Sequence, residues 1–172
     1  MPKKSVSKEE NDLGGLYDRP GFLLRRCQQE TGWVFEESCA ELGLTQRQYD
    51  FLFALSEADE RDQDQLARLL GLDRSNTGHV IKILLRKGYI ERRVKPSDKR
   101  KRLIRLTENG RDIFQAAKPA AMAARDYLLD LLDQDEQEIF MRLLRKIVLT
   151  NTRPDRAPLE MAGSQQPSQQ AP

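Results

Sequence analysis

The 172-residue chain holds one histidine, two cysteines and one tryptophan, and each scarcity removes a class of function. A lone His79 cannot build a histidine-based metal site, and no Cys/His cluster has zinc spacing. Two thiols, Cys27 and Cys39, make no disulfide framework. On one expected helix they lie about 120° apart around the axis, so they share no face. No apolar run approaches the ~18 residues that span a bilayer. The opening MPKKSVSKEENDLGG lacks the apolar stretch of a signal peptide, so a cytosolic protein with no membrane partner is expected. There is no glycine-rich phosphate loop and no Ser/His/Asp or Cys/His arrangement with supporting context. No enzyme and no cofactor are expected.

Abundance is concentrated in one place. Residues 74–105 read RSNTGHVIKILLRKGYIERRVKPSDKRKRLIR, with twelve Lys and Arg against two acids. This segment carries a formal +10 while the whole chain carries +2, so the rest sums to −8. Such asymmetry is the electrostatic footprint of a surface that sits on phosphates. Aromatics are not interleaved among these cations, which argues against stacking on single strands and against an RNA-binding or architectural protein.

Around this segment the chain divides into short elements. Residues 1–15 are polar, end in Gly14-Gly15 and read as a flexible arm. Residues 153–172 are rich in Pro and Gln and have the composition of a disordered tail. A first helix is expected from Asp18-Arg19-Pro20, with Asp18 as cap and Pro20 in the first turn. Its apolar residues, Phe22, Leu23, Leu24, Cys27, Val34 and Phe35, cover a wide arc, as in a helix buried on two sides. Gly32 interrupts the pattern and Gly43 marks the exit. Thr45-Gln46-Arg47-Gln48 reads as a capping box opening a second helix with Tyr49, Phe51, Leu52, Phe53 and Leu55. After a polar turn, Asp62 to Gln65 opens a short third helix that Gly71 stops. A fourth begins near Asp73 to Ser75, its inward side marked by Val80, Ile81, Leu84 and Leu85. The third and fourth helices make a helix-turn-helix.

Tyr89 to Val94 and Arg102 to Leu106 read as strands flanking the basic turn Lys95 to Arg102, a β-hairpin wing. Thr107 caps a long fifth helix reaching Leu132, with a bend or break expected at Pro119. Asp133 to Glu136 caps a sixth, whose Ile139, Phe140, Leu143, Leu144, Ile147 and Val148 form a stripe suited to a helical partner. The fold class is mainly α with a small β-hairpin.

Three matches in this order resemble the MarR family of winged-helix transcription regulators. They are Leu66-Ala67 through Leu72, the run Leu84-Leu85-Arg86-Lys87-Gly88-Tyr89-Ile90-Glu91-Arg92, and Pro96-Ser97-Asp98-Lys99-Arg100 followed by Leu106-Thr107-Glu108-Asn109-Gly110. The resemblance covers about residues 16–152. Lys95 departs from it where the family often has Asp, and His79 where many members place a basic contact residue. It implies a homodimer built from residues 16–43 and 107–152, with a winged helix-turn-helix at 45–106. A two-fold dimer would present two recognition helices to successive major grooves of a near-palindromic operator.

Arg74, Ser75, Asn76, Thr77 and His79 open the fourth helix and are the candidates for base or phosphate contact, since Asn and Arg pair bidentately with adenine and guanine edges. Lys82, Lys99, Lys101 and Arg102 are candidates for phosphates. By resemblance Arg100 enters the minor groove, and Asp98 holds the wing. The family implies repression, relieved by a small anionic aromatic. The opening Arg19 to Arg26 is similar to regulators of aromatic-acid catabolism. Arg19, Phe22 and Arg26, with Tyr49 and Phe53, are the candidates for an aromatic carboxylate, forked by guanidinium and stacked by rings. Thiol oxidation at Cys27 is the alternative trigger within the same fold.

Overall fold

In the computed structural model the described residues are 14–95 and 98–150, without the side chains of 95 and 98–101. The arm expected at 1–15 and the tail at 153–172 therefore lie almost wholly outside them, except that Gly14 and Gly15 open a helical turn, α1 (Gly14–Tyr17). α2 (Pro20–Ser38) follows. Its N-cap is Arg19, not Asp18, and no side chain caps it. The residue before a proline is pushed into extended backbone, which is where Arg19 sits, and Pro20 takes the first helical position. The helix runs through Gly32 without interruption. A 3₁₀ turn at Ala40–Leu42 then ends on Gly43 at φ 57°, in the left-handed region.

α3 (Gln46–Ser56) is capped by Thr45, whose hydroxyl accepts from the Gln48 backbone N–H at 3.3 Å. The other half of the expected capping box does not form. The Gln48 side-chain carbonyl instead accepts from Lys87 Nζ at 2.9 Å, a partner 39 residues away that no local pattern announces. Phe51, Leu52 and Leu55 of α3 are fully buried, and Tyr49 stacks between Phe35 of α2 and Phe114. This aromatic column ties the N-terminal helix to the centre of the molecule.

The stretch expected as a polar turn contains a strand, β1 (Arg61–Asp62), which pairs with the wing. Asp62 also caps α4 (Gln63–Leu70) through a reciprocal box with Gln65, both bonds at 2.8 Å. Asp73 caps α5 (Arg74–Arg86). β2 (Ile90–Lys95) and β3 (Asp98–Leu106) form the hairpin, and the sheet order is β1-β3-β2, all antiparallel. The turn residues Pro96 and Ser97 are outside the described residues. In the register Ile90 faces Leu106 and Arg92 faces Ile104.

Thr107 caps α6 (Glu108–Leu129): its hydroxyl accepts from Gly110 N–H at 2.9 Å and donates to the Gly88 carbonyl at 2.7 Å. The helix passes Pro119 unbroken, so of the bend or break expected there the break does not occur, and it ends at Leu129 rather than Leu132. Pro119 and Gln115, whose carbonyl loses its helical donor, are both exposed, so water can satisfy that carbonyl. Asp133 and Glu136 cap α7 (Gln134–Thr150) reciprocally, at 2.9 and 3.0 Å. α7 buries none of its residues, and Ile139, Leu143, Ile147 and Val148 of its apolar stripe are exposed.

Candidate nucleic-acid interface

The geometry of α5 follows from its sequence. Val80, Ile81 and Leu84 are buried at helical spacing, so the opposite side carries Arg74, Ser75, Asn76, His79 and Lys82, all exposed. Two expectations change on this helix. Thr77 is fully buried, and its hydroxyl donates to the Asp73 carbonyl at 2.8 Å. It points into the core and cannot reach DNA. Asn76 is exposed, but its backbone N–H and its side-chain amide both donate to the Asp73 carboxylate, at 2.8 and 2.6 Å. The Asn76 backbone N–H and then its amide hold the Asp73 carboxyl below the usual carboxylate range. Asn76 therefore helps secure the cap and would have to release Asp73 before its amide met a base.

Beside this surface lies an open crevice of about 370 Å³ lined by Gln63, Arg74, Ser75, Gly78, His79, Lys82 and Arg92. It joins the start of α4, the outer side of α5 and the strand β2. The Gln63 amide donates to the Arg74 carbonyl at 3.1 Å, tying the two helices of the helix-turn-helix together. Gly78 serves that contact, because a Cβ there would lie 3.2 Å from Gln63 Nε2. Gln63 and Arg92 were not among the expected site residues. The signal for Arg92 was present: it follows Ile90 by two residues, so it lies on the same side of β2 as that buried residue.

On the wing, Arg102 is exposed and stands opposite Val94. The backbone of Asp98, Lys99, Arg100 and Lys101 lies in β3, and their side chains are outside the described residues. Below them the hairpin is braced by a cross-strand ion pair between Arg105 and Glu91.

The expected effector residues are not brought together. Arg19 and Arg26 are exposed on the outside of the N-terminal helix, where Arg26 pairs with Glu30 at 3.1 Å. Phe22 meets Tyr17 edge-on and has the Arg25 guanidinium over its ring. Phe53 is half exposed at the edge of Phe114. Of the five, only Tyr49 lines the crevice of about 220 Å³ between α2, α3 and α6. Its other walls are Thr31, Phe35, Gln46, Asp50, Ala121, Ala124 and Arg125. Asp50 is open to solvent over its own surface, yet protein crowds it on several sides. That desolvation pushes its carboxyl up to about 6, with Arg47 pulling in the opposite direction. Cys27 is half-buried and Cys39 buried. Burial pushes the Cys39 thiol up, away from the reactive thiolate.

Among the described residues no three His, Cys, Asp or Glu side chains cluster as metal ligands. None of their helices is long and apolar enough to cross a membrane.

The pattern of the MarR family matches residues 44–101, from α3 through the helix-turn-helix and β2 to the start of β3. The transcriptional repressor NicR of Pseudomonas putida is 25% identical over 151 residues, covering 86% of this chain and 96% of its own. The repressor CouR, solved bound to a 23-mer DNA duplex, superposes with a TM-score of 0.72 at 30% identity, over 80% of this chain and 98% of its own. The PcaV regulator of Streptomyces coelicolor, solved with its natural ligand, has a TM-score of 0.69 at 28% identity, over 86% and 96%. A winged helix-turn-helix whose exposed helix and wing are cationic, with relatives aligned along almost their whole length, makes this chain a member of the MarR family of transcription regulators, not an enzyme.

Proposed function

We propose that the protein is an effector-responsive repressor. A homodimer binds a near-palindromic operator through two copies of α5 and its wing, and a small aromatic carboxylate or its derivative releases it. The observation that carries the DNA-binding part is the crevice beside α5, where Arg74, Lys82 and Arg92 converge with no acid among the lining residues. Arg74, Ser75 and His79 are offered to base edges in the major groove. Arg100, at the wing, is assigned to the minor groove, where negative potential is focused. Lys99, Lys101 and Arg102 neutralise phosphates. Repression rests on the likeness to NicR and CouR.

The effector is assigned to the crevice between α2, α3 and α6. Arg125 would fork a carboxylate there, and Tyr49 and Phe35 would flank a ring. The solved complex of PcaV with its natural ligand supports a small-molecule effector for this chain as well. Residues 16–43 and 107–152 are assigned to the dimer, on the strength of the exposed apolar stripe of α7.

The test is a gel shift of the full chain on the DNA upstream of its own coding sequence. It would be challenged with benzoates, hydroxycinnamates, their CoA thioesters and pyridine carboxylates. A specific shift released by one compound is the expected result. Binding that is indifferent to sequence and collapses with salt would sink the operator reading. Specific binding that none of the compounds relieves would remove the aromatic-acid part alone.

A further inference from the structure

Arg92 lies outside α5 and the wing turn, and among the described residues no hydrogen bond or ion pair occupies it. Ile90 and Ile104, its neighbours along and across the sheet, are buried. Arg92 emerges from that buried side where the hairpin clears the core, so its guanidinium projects beside α5 into the crevice already described. There it joins Arg74 and Lys82, which stand about two turns apart on α5. Among the described residues none of the three has an acidic partner. Arg105, by contrast, is paired with Glu91 on the opposite side of the strand. Three like charges around one hollow repel one another, and only an anion placed between them reverses the sign of that interaction. A guanidinium fork with an ammonium beside it suits the oxygens of a phosphate.

We propose that this crevice is a seat for one phosphate of the DNA backbone, held by Arg92 from the sheet and by Lys82 and Arg74 from the helix. Arg92 is then a positioning contact. It fixes how deeply and at what angle α5 enters the groove, and it carries no base preference of its own. This rests on the DNA-binding reading above. The same oxyanion chemistry could also be met by a free anion, and the test separates the two.

The experiment is fluorescence anisotropy of the full chain on its upstream DNA from 50 to ~300 mM salt, a range in which phosphate contacts dominate the dependence. It compares the wild type with Arg92→Gln and Arg92→Lys. Arg92→Gln should weaken binding about tenfold or more and make the log–log salt slope shallower by about 1.8, the loss of one phosphate contact from each protomer of the dimer. The ratio of operator to scrambled affinity should stay the same, and Arg92→Lys should keep the slope. Thermal melting of each variant guards against misfolding, and Arg92 is exposed enough to be replaced without disturbing the core.

An unchanged affinity and slope in Arg92→Gln, with the wild type binding normally, would overturn the seat and leave the operator reading intact. A lost operator preference with an unchanged slope would make Arg92 a base reader and overturn it too. Inorganic phosphate at matched ionic strength supplies the second arm. Stabilisation of the DNA-free wild type that Arg92→Gln abolishes, with DNA affinity unaltered, would reassign the crevice to a small anion. Failure of the wild type to select any fragment would bring down the operator reading itself.

Discussion

At the scale of single residues, Asp50 makes the sharpest claim. Its carboxyl is raised from 3.8 to about 6 by the protein that crowds it in the crease between α2, α3 and α6, although its own surface stays open to solvent. A raised carboxyl binds its proton more tightly folded than unfolded, so between those two values the native state holds more protons. Stability therefore falls as pH rises from about 4 to about 6 and levels off above. Replacing Asp50 by Asn removes the charge and keeps the shape. The Tm of Asp50→Asn relative to wild type should climb across that window and then stay constant, read by thermal melts at half-unit pH steps. A difference that is flat with pH would show that this crowding does not desolvate the Asp50 carboxyl. The same carboxylate lines the crevice together with Arg125. An effector anion there would meet repulsion from Asp50 once it ionises, so a carboxylate should bind the Asn variant more tightly at neutral pH.

At the scale of elements, the junction of wing and α6 depends on one missing side chain. Gly110 lies against the Tyr89 carbonyl so closely that a Cβ would stand 1.8 Å from the oxygen. That oxygen also accepts from the Thr107 N–H at 3.0 Å, and Thr107 caps the helix, so the neighbour cannot swing aside as a flexible side chain would. Gly110→Ala should cost about 3 kcal/mol, the upper part of the overpacking range, read from the urea midpoint. Gly21, with nothing within 4 Å of its Cβ position, is the control. Its Ala variant should be neutral or stabilising by up to about 1 kcal/mol. Equal effects at the two positions would mean the junction relaxes.

The same junction separates what could be read from the sequence and what could not. The helix-turn-helix, the hairpin and the caps Thr45, Thr107 and Asp133 are local: apolar spacing and cap chemistry lie within a few residues, and so they were legible. The two-residue strand β1 is created by its partner in β3 and has no alternation to read. Gln48 was read as a local cap, yet its amide is taken by Lys87, which also donates to the Gly43 carbonyl. That pair ties the end of α5 to the α2–α3 corner across the chain. Thr77 looked polar and accessible by its place in the first turns of α5, and only the helix rotation fixed by Val80, Ile81 and Leu84 turns it inward. Four of the five effector candidates lie off the crevice for the same reason. Arg19 and Arg26 share a helix with the crevice but stand on its outside, and Asp50 and Arg125 converge from helices distant in sequence.

At the scale of the whole molecule, charge and apolar surface are segregated, and the two patterns constrain each other. The segment 74–105 carries +10 against −8 for the remainder, so the chain is a strong dipole with its positive end at α5 and the wing. A two-fold axis near the apolar helices would set two positive ends side by side along one line, and a head-to-tail arrangement would bury one of them. The exposed apolar side chains fall where that axis requires them: Leu23 and Leu24 on α2, Leu131 before α7, and Leu143 and Ile147 on α7. So much aliphatic surface on consecutive turns of helices that bury little of it in their own chain fits the dimer surface proposed above. Because no residue of α7 is fully buried against the rest, charges placed on its exposed side should leave the winged helix folded. The double variant Leu143→Asp with Ile147→Asp should therefore keep its helical circular dichroism, sediment as a monomer and retain only the affinity of one half-site. The loss on a two-half-site operator should be about 10²-fold or more, since a second contact made within one complex no longer adds to the first. A variant that stays dimeric and grips the full operator as the wild type does would place the dimer surface elsewhere and leave the stripe of α7 without that role.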